Sequence, residues 1–517
     1  MLAESVLLLL AASNMAQALL PIHIKDYRFI KPSSPNNTDT ENEIFFVKGI
    51  DYQPGGSSAY DGNSGEDVLS DADVCARDAY VFQQLGINTI RVYTLNPDVN
   101  HDECMTILND AGIYVILDVN SGNYGENLNR ADPWGTYNAQ YLSRVFKFID
   151  AFKNYPNVLG FFSGNEVIND EKNYANIDPQ YIRAVQRDMK QYIAKHSNRT
   201  IPVGYSAADN TDLRLPTLNY LQCNSLNGKN VSVALNESRA DFFGLNTYEW
   251  CSGSSDWQSS GYDKLNSSFA DAAIPLIFSE FGCNKNLPRT FDEVSKGLYG
   301  GLKNTFSGGL VYEYAEEANH YGLVDIDDDD NSVTYKEDFD NLKSQYESLE
   351  LPTTKESDVP ENNIVLCNGT QITDEFEDFG VNNFTIPTQP DDIARMIKWG
   401  VNGTNIGKLL DDYTLPKSSN YTIKDTDGNE LSGEIAYNAS NAINSLYTPS
   451  SSTSSSSSVS SSTSKSSSAS SSSASSTKST KTKSGGKKEK NGANFIEGPS
   501  FETGFGAVLA AVIYALI

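Results

Sequence analysis

The sequence predicts a (β/α)8 barrel of the TIM type, and three observations carry that reading. Eight apolar runs of strand length recur over roughly 300 residues, and segments of helical periodicity separate most of them, the pattern of a closed parallel sheet. Two of the runs, Val158-Leu-Gly-Phe-Phe-Ser-Gly-Asn-Glu-Val167 and Ile274-Pro-Leu-Ile-Phe-Ser-Glu-Phe-Gly282, stop abruptly on a carboxylate, Glu166 in one and Glu280 in the other. No Gly-x-Gly-x-x-Gly follows the first run, so a doubly wound nucleotide-binding sheet has little support.

In chain order the predicted strands are 45–52, 89–95, 113–120, 158–167, 202–208, 242–250, 274–282 and 309–314. Predicted helices, with apolar residues three and four apart, cover 73–85, 101–111, 136–153, 179–196 and 291–302. Asp73 and Pro179 suit the first turn of a helix. Barrel active sites form at the C-terminal ends of the strands. There the first run ends Asp51-Tyr-Gln53, the second holds Arg91 and Tyr93, and the third carries Asp118. The fourth ends Asn165-Glu166, the sixth holds Tyr248-Glu-Trp250, the seventh Glu280 and the eighth Tyr312. Polar groups therefore gather at one rim.

A carboxylate at the end of a buried strand is costly unless chemistry requires it. Two facing carboxylates about 5–5.5 Å apart cleave an acetal with retention, one as acid/base and one as nucleophile. Asn165 beside Glu166 is placed to bond a sugar 2-hydroxyl, and Tyr312 to position the nucleophile. Arg91 serves either a structural ion pair or a nearby catalytic carboxylate. Glu166 needs a raised pKa to donate its proton. Trp134, Trp250, Trp257 and Tyr262 offer flat faces for pyranose stacking or for the core.

The 517 residues carry a formal net charge of −28, which argues against nucleic acid as a partner. Aromatic content is 11%, with 28 Tyr and 23 Phe, enough for a large core and for sugar-stacking surfaces. Six dispersed cysteines without a CxxC pair read as disulfides and not as a zinc site. The four histidines show no ligand spacing, and Asp325 to Asp330 lacks the Gly and distal Glu of a calcium loop, so no metal or cofactor is expected. Asn-x-Ser/Thr sequons at Asn36, Asn198, Asn230, Asn236, Asn266, Asn368, Asn383, Asn402, Asn420 and Asn438 fit an exported chain.

Both ends read as targeting segments. Residues 1–18 have an apolar stretch followed by Ala16-Gln-Ala18, the form of a signal peptide cleaved after Ala18, although no Lys or Arg precedes it. Residues 450–490 are nearly all Ser and Thr, then Lys, which cannot bury a core and reads as an O-glycosylated stalk. Residues 491–517 place small residues at Asn491-Gly-Ala493, a polar spacer and an apolar tail, the signal for a glycosylphosphatidylinositol anchor with Asn491 as its attachment residue.

Ser163-Gly-Asn-Glu166, Phe243-Gly-Leu-Asn-Thr-Tyr-Glu-Trp-Cys251, Phe278-Ser-Glu-Phe-Gly-Cys283 and Gly309-Leu-Val-Tyr-Glu-Tyr314 resemble the fungal β-1,3-glucanosyltransferases of glycoside hydrolase family 72. The likeness spans 27–349, the expected catalytic barrel. It implies Glu166 as acid/base, Glu280 as nucleophile, and Gln53, Tyr93, Asp118, Asn165, Tyr248 and Tyr312 lining donor-sugar subsites. It also implies disulfides Cys75–Cys104, Cys251–Cys283 and Cys223–Cys367, and β-1,3-glucan chains as donor and acceptor for a monomeric, wall-remodelling enzyme held at the plasma membrane. Hydrolysis and transfer share one covalent intermediate, so the choice of transfer rests on the resemblance. Cys367 is the only cysteine beyond Cys283, so the cysteine-rich carbohydrate-binding module of some relatives is absent. Residues 360–447 alternate apolar and polar positions between turns and are expected to form a small β-rich accessory domain.

Overall fold

A computed structural model of the chain describes residues 19–33, 41–169, 173–224, 237–361, 364–403 and 405–437. The signal-peptide, stalk and anchor segments, with Asn491, lie outside the described residues, as do Asn36, Asn230, Asn236 and Asn438.

Eight parallel strands close into a barrel: β1 (Val47–Asp51), β2 (Thr89–Val92), β3 (Tyr114–Asp118), β4 (Val158–Asn165), β5 (Val203–Ala208), β6 (Phe242–Asn246), β7 (Leu276–Phe281) and β8 (Gly308–Val311). Each pairs with its sequence neighbour, and β8 returns to β1 with Gly308 beside Val47. All eight lie within the runs read from sequence except for Gly308, one residue earlier. The runs overreach because their last residues, such as Tyr248 and Tyr312, already belong to the rim loops.

Of the predicted helices, Ala72–Leu85, Asp102–Asp110, Ala139–Phe152 and Asp178–His196 are α-helical, and Glu293–Gly301 is a π-helix. Asp71 caps the first through its side chain, and Gly86 closes it in the left-handed conformation. Helices Arg214–Gln222, Tyr262–Ser268 and Glu337–Glu347 have no counterpart in the apolar periodicity. The first two are short, and Arg214–Gln222 mixes polar and apolar residues around its circumference.

Two apolar clusters divide the core. One lies inside the barrel, where Val47, Tyr114, Ile116, Leu159, Phe162, Phe242, Ile277 and Leu310 meet Leu19, Ile22, Phe29 and Phe45. The last four come from the N-terminal segment and its antiparallel sheet, His23–Lys25, Arg28–Lys31 and Glu43–Phe45, which plugs the end where the strands begin. The second and larger cluster joins the outer faces of the strands to the surrounding helices.

Residues 364–437 are mixed in structure. They supply Ile423–Lys424 and Glu430–Leu431 to a four-stranded sheet completed by Val324–Ile326 and Val333–Tyr335. They also form helices Gly369–Glu375 and Asp391–Trp399, in place of the strands expected throughout. The second begins on Pro390 with Asp391 and Asp392 in its first turn, and Ile393, Met396 and Ile397 fall on one face. Ile372, Phe379, Ile393 and Ile435 join the barrel's own outer cluster, so this stretch has no separate core.

The disulfides are Cys75–Cys104, Cys251–Cys283 and Cys223–Cys367. The last spans 144 residues and fastens the downstream stretch to the barrel, a closure of about 5 kcal/mol in the chain-entropy model.

Candidate active site

The period-2 alternation that puts Tyr114 and Ile116 inside the barrel puts Asp118 on the same face one step higher. Arg91 does the same on β2, where it is fully buried. Its Nη2 donates to Asp118 Oδ2 at 2.8 Å and to Asn165 Oδ1 at 3.1 Å. Its Nη1 donates to Glu280 Oε1 at 3.2 Å and to the Ser279 carbonyl at 3.1 Å. One guanidinium therefore joins β2, β3, β4 and β7.

Glu280 accepts two further hydrogen bonds, from the Tyr93 hydroxyl to Oε1 and from the Tyr248 hydroxyl to Oε2, both at 2.9 Å. Burial pushes its carboxyl up to about 7 against the pull of Arg91; Glu166 adds to the rise, and the Tyr248 and Tyr93 hydroxyls oppose it. Burial also raises Asp118, with Arg91 opposing.

Glu166 follows β4 with φ +48, a left-handed conformation that a non-glycine residue seldom adopts and that recurs at functional sites. The ladder between β4 and β5 shifts register just before it, between Phe162 and Asn165, as bulges near active sites do. Asn246 ties the two carboxylates together. It pairs with Glu280 across the β6–β7 ladder, and its Nδ2 donates to Glu166 Oε1 at 2.8 Å and to Asn165 Oδ1 at 3.1 Å. Its Oδ1 accepts from the hydroxyls of Ser206 and Ser279, at 3.0 and 2.7 Å, which fixes the amide's orientation. Glu166 and Glu280 thus emerge at one rim, as the strand ends imply.

The remaining rim residues divide. Gln53 accepts from the Thr94 backbone N–H at 3.0 Å and joins the loops after β1 and β2. Tyr312 stands edge-on to both Tyr93 and Tyr248, at centroid distances of 6.4 and 6.3 Å. Tyr93 and Tyr248 donate to Glu280, and the Tyr312 ring borders both. Trp250 and Trp257 both pack on Tyr262; Trp250 and Tyr262 belong to the core and Trp257 is half-buried against it, whereas Trp134 is exposed. Asn246, Ser206 and Ser279 escape a reading of the sequence because one polar residue inside an apolar strand looks like a tolerated core amide or hydroxyl. Asn246 does lie within the Gly244-Leu-Asn-Thr247 motif. Among the described residues no cluster of His, Cys, Asp and Glu is arranged to hold a metal.

The family model of the glycoside hydrolase family 72 glucanosyltransferases matches residues 11–350. The chain belongs to this family. It is 68% identical over 447 residues to the probable 1,3-beta-glucanosyltransferase GAS3 of Saccharomyces cerevisiae, covering 86% of this chain and 85% of that one. It is 47% identical over 405 residues to the 1,3-beta-glucanosyltransferase gel2 of Aspergillus fumigatus, covering 78% and 80%. Among solved structures, S. cerevisiae Gas2 in complex with a small compound superposes with a TM-score of 0.60 at 37% identity, covering 72% of this chain and 77% of that chain. A Glu-to-Gln mutant of Gas2p in complex with laminaritetraose and laminaripentaose superposes with a TM-score of 0.58 at 35% identity, covering 72% and 75%.

Proposed function

We propose that this enzyme cleaves an internal β-1,3-glucan bond with retention and transfers the fragment to the non-reducing end of another β-1,3-glucan, lengthening chains of the fungal wall. The observation that carries the reading is the asymmetry of the two carboxylates around Asn246. Glu280 accepts from a guanidinium and two phenols, donors that favour an anion, while Glu166 sits more open at the rim and accepts from one neutral amide.

In the first step Glu280 attacks the anomeric carbon as Glu166 gives its proton to the departing glycosidic oxygen, leaving a glycosyl ester on Glu280. In the second, Glu166 takes the proton of an incoming sugar hydroxyl, whose oxygen displaces the ester and restores both carboxyls. Tyr93 and Tyr248 hold Glu280 in line, and Arg91 opposes the rise that burial gives its pKa. Asn165 faces the sugar 2-hydroxyl, while Gln53, Asp118 and Tyr312 border the donor sugars. The substrate class is supported by the names of the relatives and by the laminari-oligosaccharides bound to Gas2p.

The reading extends to a monomer exported by residues 1–18 and held at the cell surface by a lipid anchor added at Asn491. The Ser/Thr-rich composition of 450–490 supports a stalk between anchor and barrel. Incubation with a reduced laminari-oligosaccharide, followed by sizing of the products, tests the reaction. Products longer than the donor are expected; shorter ones alone would make the protein a hydrolase, and unchanged donor would make it a binding protein.

A further inference from the structure

Asp51, the last residue of β1, is a buried carboxyl for which the double-displacement reaction has no use. It is 0% exposed, and neither of its oxygens has a partner at full hydrogen-bond geometry, because the Tyr93 hydroxyl that faces it donates to Glu280. Arg91 lies beside it across the β1–β2 ladder. The groups that face it are Arg91 and Tyr93 from β2 and its loop, Asp118 from β3, Glu280 from β7, Tyr248 from the loop after β6, and Tyr346 from the helix Glu337–Glu347.

Charge counting singles it out. Asp51, Asp118 and Glu280 are all buried, and Arg91 is the cation that faces them. Three buried anions around one cation repel one another strongly, and the proton goes to the member with least to lose. Asp118 accepts two bonds from Arg91, and Glu280 accepts from Arg91, Tyr93 and Tyr248. Asp51 accepts none at full geometry. Burial raises its pKa well above the usual carboxylate range; Arg91 and the nearby Tyr93 hydroxyl oppose the rise, and Glu280 and Asp118 reinforce it.

Building on the proposed glucan transfer, we infer that Asp51 is a positioning residue that stays protonated while the enzyme works. A neutral Asp51 makes no claim on the Tyr93 proton, which goes to Glu280. With Asp51 neutral, the cluster of Arg91, Asp118 and Glu280 carries one net negative charge. That charge resides on the group that must attack carbon. Formation of the glycosyl ester then brings the cluster to neutrality. An ionised Asp51 would instead make a second anion compete with Glu280 for Arg91.

The test is Asp51→Asn, isosteric with the neutral acid. The full enzyme at neutral pH should show an infrared band from a protonated carboxyl that shifts on 13C-aspartate labelling and is lost in Asp51→Asn, or in Asp51→Ser should the amide not fold. The acid limb of kcat/KM, which reports Glu280, should stay within about 0.3 pH unit of wild type. Above neutral pH the wild-type melting temperature should fall more steeply than the variant's, because only the wild type has this carboxyl to ionise. A carboxyl band unchanged between wild type and Asp51→Asn, or an acid limb displaced downward by about a unit, would show that Asp51 is an anion and overturn the proposal. The infrared and melting measurements need no turnover, so they stand even if the glucan reaction is wrong.

Discussion

The two ends of the barrel are built from the same eight strands to opposite specifications. Where the strands begin, the interior is a hydrocarbon plug in which Phe242 meets Phe29 and Phe162 at centroid distances of 5.6 and 5.0 Å. A Cβ on Gly204 would lie 2.6 Å from that ring and one on Gly160 2.9 Å from it, so both strands keep glycine where the ring passes. Where the strands end, the same inward positions hold Arg91, Asp118, Asn246, Ser279 and Glu280 joined by hydrogen bonds. The lower end gains stability from contact and volume. The upper end places buried charge where it is least stable and holds it with partners. The difference teaches that fold and reaction can be perturbed separately.

Substitutions at the rim should break the comparison most sharply. Glu280→Gln and Glu166→Gln keep shape and remove an ionisable group, so turnover should drop about 1,000-fold or more while the melting temperature holds or rises. Product sizing and a melting curve check both halves; appreciable activity in either variant rejects the nucleophile and acid/base roles. At the opposite end, Phe242→Ala removes a ring packed on three sides and should cost about 3–5 kcal/mol of stability. Below its melting temperature that variant should keep near-normal kcat/KM, and a specific loss of activity in the folded protein would show that the plug and the rim are coupled.

Arg91→Met tests the join between the layers. The methionine fits the apolar wall but leaves Asp118 and Glu280 without their cation. Arg91 lowers the Glu280 pKa, so its loss raises it. The nucleophile must be ionised, and activity falls as pH drops through that pKa. The acid limb of kcat/KM should therefore move to higher pH, with a loss of about 100-fold at the wild-type optimum. An unmoved limb would remove Arg91 from the control of Glu280.

How much of this is legible in the sequence follows the same division. The strands show because a parallel barrel buries both faces and leaves continuous apolar runs, and Glu166 and Glu280 stand out as charges ending such runs. What stays hidden depends on register and distance. Asn246 becomes a bridge only because β6 sets it opposite Glu280, and Tyr93 and Tyr248 become partners of Glu280 only through the curvature of the rim. The helices in 364–437 escape notice because turn residues and short alternations mask a helix whose apolar face is only Ile393, Met396 and Ile397.

The smallest expected effect concerns carboxyls away from the reacting pair. Burial pushes Asp178 up to about 8, with Arg130 opposing, and Glu293 up to about 7, with Ser252 opposing. It pushes Glu313 up to about 8, reinforced by Glu317. Each folded pKa lies above the ordinary carboxylate value, so between the two the folded chain binds more protons than the unfolded one. Stability from these groups is complete below pH about 4 and is lost as pH rises through 7 to 8. The melting temperature should decline by roughly a few degrees between about pH 5 and 8, and Glu293→Gln should flatten the decline. The rim carboxylates cannot account for that flattening, because Glu293 is fastened to Ser252 beside the Cys251–Cys283 disulfide and not to Arg91. A melting temperature that instead climbs over this range would mean that these carboxyls are ionised and paired in the folded state.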